Sequence, residues 1–156
     1  MTWTDIKQLE KSLTDDTLSE KEVFYYLLTS SLITAVIPYL SDNHPDNKIL
    51  AFIELLFGIV FTIVLLRVTF NINNLGDNRD YLKRFICLSL VSFIRLFRFA
   101  LGPIILMTVI LKVIESMDII KYDDIRQVFL FSVTIFMSIA YYVMLRNSFK
   151  RVNQKN

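Results

Sequence analysis

Residues 49–70 read ILAFIELLFGIVFTIVLLRVTF, and only Glu54 and Arg67 in this run are charged. A helix crosses the ~30 Å hydrocarbon core of a bilayer with about 20 mostly apolar residues. A helix in a soluble bundle would show a polar face every three or four residues. This run shows none, so it reads as a transmembrane helix.

Three more segments read the same way. Residues 23–41 (VFYYLLTSSLITAVIPYLS) and 127–145 (QVFLFSVTIFMSIAYYVML) carry no charge. Residues 85–114 (FICLSLVSFIRLFRFALGPIILMTVILKVI) carry only Arg95, Arg98 and Lys112. The sequence predicts an all-α integral membrane protein with four transmembrane helices, at about 23–41, 49–70, 85–114 and 127–145. These form a membrane domain over 23–145. A short amphipathic helix occupies residues 1–22, and a basic tail occupies 146–156.

The whole composition agrees with that reading. Of 156 residues, 54% are hydrophobic and 21% charged, against about 25% charged for a soluble domain. Lys and Arg number 17 and Asp and Glu 15, for a net charge of +2. That balance gives no footprint for nucleic acid. One Cys excludes a disulfide framework, and one Cys with one His excludes a Cys/His zinc site.

The first span starts late and follows six acidic residues, Asp5 to Glu22. A secretory signal starts with a short positive region, so this span is expected to be retained. Lys and Arg set orientation. Lys7, Lys11, Lys21, Arg79, Lys83, Arg84, Arg146, Lys150, Arg151 and Lys155 fall on one side. Lys48, Lys121 and Arg126 fall on the other. Both termini are therefore expected to be cytoplasmic.

Trp3, Ile6, Leu9 and Leu13 recur at helical spacing. With acids among its lysines, this helix is expected to pack on the protein's own cytoplasmic loops rather than on the membrane surface. Thr2–Asp5 and Ser19–Glu22 both fit a capping box. Asp42, His44 and Asp46 in the first outer loop read as turn chemistry before cation binding. The Asn-rich loop 71–80 reads first as a helical-hairpin turn. Its sharper reading joins Arg79, Lys83, Arg84, Lys150 and Arg151 into a cytoplasmic face for an anionic ligand or partner protein.

Ionisable residues inside spans are costly and mark function. Arg67 and Lys112 lie near span ends and can snorkel. Arg95 and Arg98 share a helix face, on a stripe that continues through Val91 and Leu88 to Arg84. If the helix enters the bilayer near Phe85, Arg98 lies level with Glu54 and the two are expected to pair. If it enters near Leu96, both arginines sit at the inner interface and residues 81–95 extend into the cytoplasm. Pro103 should kink this helix.

The chain has no G-x-G-x-x-G, P-loop, G-x-S-x-G or H-E-x-x-H motif. His44 and Cys87 fall on opposite sides of the membrane. No cofactor, no metal site and no enzyme activity is expected.

The capped N-terminal helix, four spans, polar inner loop and basic tail together resemble the small four-span inner-membrane effectors of bacterial anti-phage defence. That resemblance implies a homo-oligomeric pore opened by a cytoplasmic signal. The residues point to the same class. One small chain cannot enclose an aqueous path, yet Arg95 and Arg98 need a polar setting, which a ring of copies provides. A non-enzymatic membrane scaffold or partner subunit is the alternative. A small transporter using Glu54 is the second.

Overall fold

The computed structural model describes residues 3–40, 48–116 and 122–153. They form five helices: α1 (Ile6–Thr14), α2 (Glu20–Leu40), α3 (Lys48–Leu75), α4 (Tyr81–Ser116) and α5 (Tyr122–Asn153). No strand occurs among the described residues. Ile49–Leu75, Tyr81–Ile110 and Phe129–Asn153 are each long and apolar enough to cross a membrane.

The 28, 36 and 32 residues of α3, α4 and α5 are ~42, ~54 and ~48 Å long at 1.5 Å per residue. A hydrocarbon core is only ~30 Å thick. Much of the excess gathers at one end, where α1 lies. There α3 continues to Leu75, so the expected loop 71–80 shrinks to a turn over residues 76–80. The expected tail is likewise helical through Asn153. Asparagine is a weak helix former, but tertiary hydrogen bonds hold both helix ends. Asn73 donates to the Arg79 carbonyl at 3.2 Å, and Asn153 Oδ1 accepts from Arg84 at 2.9 Å. Pro103 sits inside α4.

The helices stand in an open row, α2–α4–α5–α3. Neighbours in that order pack together, α3 touches α4 only lightly, and α2 does not reach α3 among the described residues. α1 lies across α4 and α5.

The buried core is confined to the α1 end. Ile6, Leu9 and Leu13 of α1 join Tyr26, Leu65, Leu88, Val91, Leu145, Phe149 and Val152. Farther along the helices, Phe52, Val60, Phe99, Ile105 and Phe136 are exposed. The reason is physical. Burial stabilises by about 1.5–3 kcal/mol per large apolar side chain only where the alternative is water. Lipid is as apolar as leucine and offers helices no such gain.

Local sequence explains α1 and its junction. Asp5 caps α1, accepting from the backbone N–H of Lys7 at 3.0 Å and Gln8 at 3.2 Å. Thr2, expected to cap, lies outside the described residues. The Ser19–Glu22 capping box forms: Glu22 N–H donates to Ser19 Oγ at 3.3 Å, and Ser19 N–H to Glu22 Oε2 at 3.1 Å. The Ser19 backbone hydrogen bond helps hold the Glu22 carboxyl below its ordinary range. Trp3 packs on Tyr26 with ring centroids 5.1 Å apart.

Candidate functional site: the basic end and the arginine stripe

The turn after α3 is built from residues that accept unusual backbone. Asn78 and Asp80 have φ of 55° and 35°, a region Asn and Asp visit more readily than most. Gly76 has no positive φ. It is needed for closeness, because a Cβ there would lie 2.6 Å from Asn153 Cβ and Oδ1. The turn is thereby pressed onto the last turn of α5.

Arg84 fills the space this creates. It is 3% exposed. Its guanidinium forks onto Asp77, with Nη2 donating to Oδ2 at 2.6 Å and Nη1 donating to Oδ1. Nη1 also donates to Asn73 Oδ1 at 3.0 Å and Asn153 Oδ1 at 2.9 Å. One arginine therefore ties α3, the turn, α4 and α5 together. Its hydrogen bond holds the Asp77 carboxyl below the usual carboxylate range.

Two more cations hold α1. Arg151 donates from Nε to Glu10 Oε2 at 2.8 Å and from Nη2 to Glu10 Oε1 at 2.6 Å. Glu10 is only 6% exposed. Lys83 Nζ donates to Asp16 Oδ1 at 2.8 Å and lowers the Asp16 carboxyl.

Of the five residues read as a face for an anionic ligand, Lys83, Arg84 and Arg151 are thus taken up by the chain's own acids. Arg79 is exposed and Lys150 half-buried. Sequence reading missed Asp77, Asn73, Asn153, Glu10 and Asp16 as partners. Glu10 carried a signal, since it follows Leu9 on the stripe that α1 buries. A buried acid requires a cation.

The charges within the apolar runs behave differently. Arg84, Leu88, Val91, Arg95 and Arg98 form one i, i+3/i+4 stripe along α4. Its first three members are buried, and Arg95 and Arg98 are exposed. No ion pair reaches either arginine among the described residues. The expected Glu54–Arg98 pair does not form within one chain. Glu54 is half-buried on the stripe of α3 that holds Phe57, Phe61 and Leu65. Phe57 meets Phe131 of α5 at 6.2 Å, so that stripe faces α5, which stands between α3 and α4.

Aromatic contacts set the relative depths. Arg67 and Tyr141 each lie ten residues beyond the Phe57–Phe131 contact, on parallel helices. The Tyr141 hydroxyl donates to the Ser89 carbonyl at 3.4 Å. Arg67, Tyr141 and Ser89 therefore share a level. Lys48 stands ~28 Å beyond Arg67 along α3, close to the hydrocarbon thickness. Were Arg67 to mark the edge of an apolar slab, Arg95 and Arg98 would lie ~9 and ~14 Å inside it by rise per residue.

The first outer loop, with Asp42, His44 and Asp46, lies outside the described residues. Cys87 is buried. Among the described residues no group of His, Cys, Asp and Glu could hold a metal. Comparison with protein families, characterised proteins and solved structures returned no match.

Proposed function

We propose that the chain is a four-span inner-membrane protein, with α2 as its first span and both termini cytoplasmic. It assembles into a homo-oligomeric channel or pore. The observation that carries this reading is the exposed Arg95–Arg98 pair, with no ion-pair partner among the described residues, on a helix long enough to span. Uncompensated arginine is costly against lipid. The open row of helices leaves the pair uncovered, and a ring of copies would turn it toward a shared wet axis. Ten Lys and Arg on the α1 side against three on the other support a cytoplasmic α1.

The gate in this reading is α1. Lys83, Arg84 and Arg151 are held by Asp16, Asp77 and Glu10. An anionic cytoplasmic signal would act through Arg79 and Lys150, or by competing with the acids of α1 for Lys83 and Arg151. Such a protein would serve as a membrane effector of the type its outline resembles.

Leu75 and Leu82 favour a second reading. They are 88% and 70% exposed and stand at the α1 end, beyond the level of Arg67. A partner protein docked there would make the chain a scaffold.

Ion flux through liposomes holding purified protein tests the first reading. Arg95→Glu with Arg98→Glu should change flux and ion preference. Unchanged flux, preference and oligomer size would remove the pore and leave the scaffold. Reporter fusions at residues 44 and 120 should read outside, and at residue 76 inside. An outside reading at 76 would overturn the topology.

A further inference from the structure

Two guanidinium groups on an apolar helix face need an anion, and no described residue supplies one. Glu10, Asp16 and Asp77 are engaged by Arg151, Lys83 and Arg84. Glu54 lies on the face of α3 turned to α5, so a second copy's Glu54 is no better placed. We infer that Arg95 and Arg98 bind the phosphate of an anionic phospholipid drawn from the leaflet on the α1 side. This rests on the same open face of α4 that the proposed function uses, but sets an anionic lipid rather than a wet axis against the arginines.

Depth and direction fit that ligand. Side chains on a helix lean toward its N-terminus, and the N-terminus of α4 is at the α1 end. An arginine reaches ~6 Å along that lean by snorkelling. The two guanidinium groups then lie ~3–8 Å inside the slab edge, a gap that local thinning and water defects close at intramembrane arginines. Spaced three residues apart, they present two forks to one tetrahedral phosphate. Arginine suits phosphate because its planar fork bonds two oxygens at once.

The rest of the stripe fits an acyl chain. Outward from the arginines come Phe99, Gly102 and Ile105. Phe99 and Ile105 are 67% and 60% exposed, and nothing lies within 4 Å of a Cβ built on Gly102. The stripe is therefore cationic toward the leaflet surface and apolar toward the bilayer centre, with open space beside the backbone. A lipid has the same polarity in the same direction. Toward the other end the stripe is closed, because Val91 and Leu88 belong to the core built with α1.

The test is lipid retention by the full-length protein. Wild type is reconstituted with equal phosphatidylglycerol and phosphatidylcholine, re-extracted in mild detergent, and its bound lipid counted by native mass spectrometry. Wild type should retain phosphatidylglycerol in preference. Arg95→Gln with Arg98→Gln should lower that preference at least tenfold, equivalent to 1.4 kcal/mol. Lys7→Gln, exposed on α1, should leave it unchanged. Arg95→Lys with Arg98→Lys keeps the charge, guards against misfolding, and should give an intermediate loss.

Equal phosphatidylglycerol preference in wild type and the glutamine pair would overturn the inference. So would displacement of the lipid by millimolar inorganic phosphate, which would make the site one for a soluble anion. Flux separates this inference from the pore. Lost lipid preference with unchanged flux refutes the wet-axis placement of the pair and keeps the lipid site. Altered flux with unchanged lipid preference refutes the lipid site and keeps the pore.

Discussion

Replacing Arg84 with glutamine separates a structural tie from a ligand-binding or axis-lining residue. The variant keeps a polar side chain but removes the fork. Asp77 then loses two charge-assisted bonds, and the amide oxygens of Asn73 and Asn153 lose their donors. Bonds to charged groups contribute about 1.5–3 kcal/mol each. They are not additive within one network. Stripping one partner from a buried pair costs about 3–5 kcal/mol, and the near-complete burial of Arg84 places it in that class. At ~2–4 °C per kcal/mol for a chain of this size, the melting temperature should fall by about 10 °C. The assay is thermal unfolding of detergent-solubilised protein. Arg79→Gln is the control, expected to stay within about 0.5 kcal/mol because its side chain is exposed. Asp77→Asn and the double variant complete a cycle, with a coupling of about 0.5–3 kcal/mol expected. If Arg84→Gln melts within ~2 °C of wild type yet loses flux, the assignment of Arg84 to the tie is wrong.

Gly76→Ala should destabilise by about 1–3 kcal/mol through overpacking against Asn153, and Asn153→Ala in the same chain should recover part of that loss in the same melt. Glu10→Gln should free α1 from Arg151, seen as faster tryptic cleavage at Lys7 and Lys11 with the membrane helices left intact. The Asp77 and Asp16 carboxyls are held low in the folded protein by Arg84 and Lys83. Their stabilisation is therefore complete above the ordinary carboxylate pKa of about 4 and is lost as pH falls through their lowered values. Melting temperature should stay level near neutrality and drop below about pH 4, and Asp77→Asn should flatten that drop.

What the sequence determined is whatever each segment decides alone. Transfer of a helix into a bilayer adds up residue by residue, so long uncharged runs declare themselves without knowledge of neighbours. The Ser19–Glu22 cap and the Ile6, Leu9, Leu13 stripe of α1 are legible for the same reason, because their atoms lie within a few residues of each other. The order α2–α4–α5–α3 was not legible. Lipid provides no hydrophobic preference for one neighbour over another, and the apolar runs look alike. The ion pairs were hidden because they close over long separations, 141 residues for Glu10–Arg151 and 67 for Asp16–Lys83. A sequence shows which charges are present but not which face one another. Only the tertiary structure turned Arg84 inward to Asp77, put α5 between Glu54 and Arg98, and left Arg95 and Arg98 uncovered where the core with α1 ends.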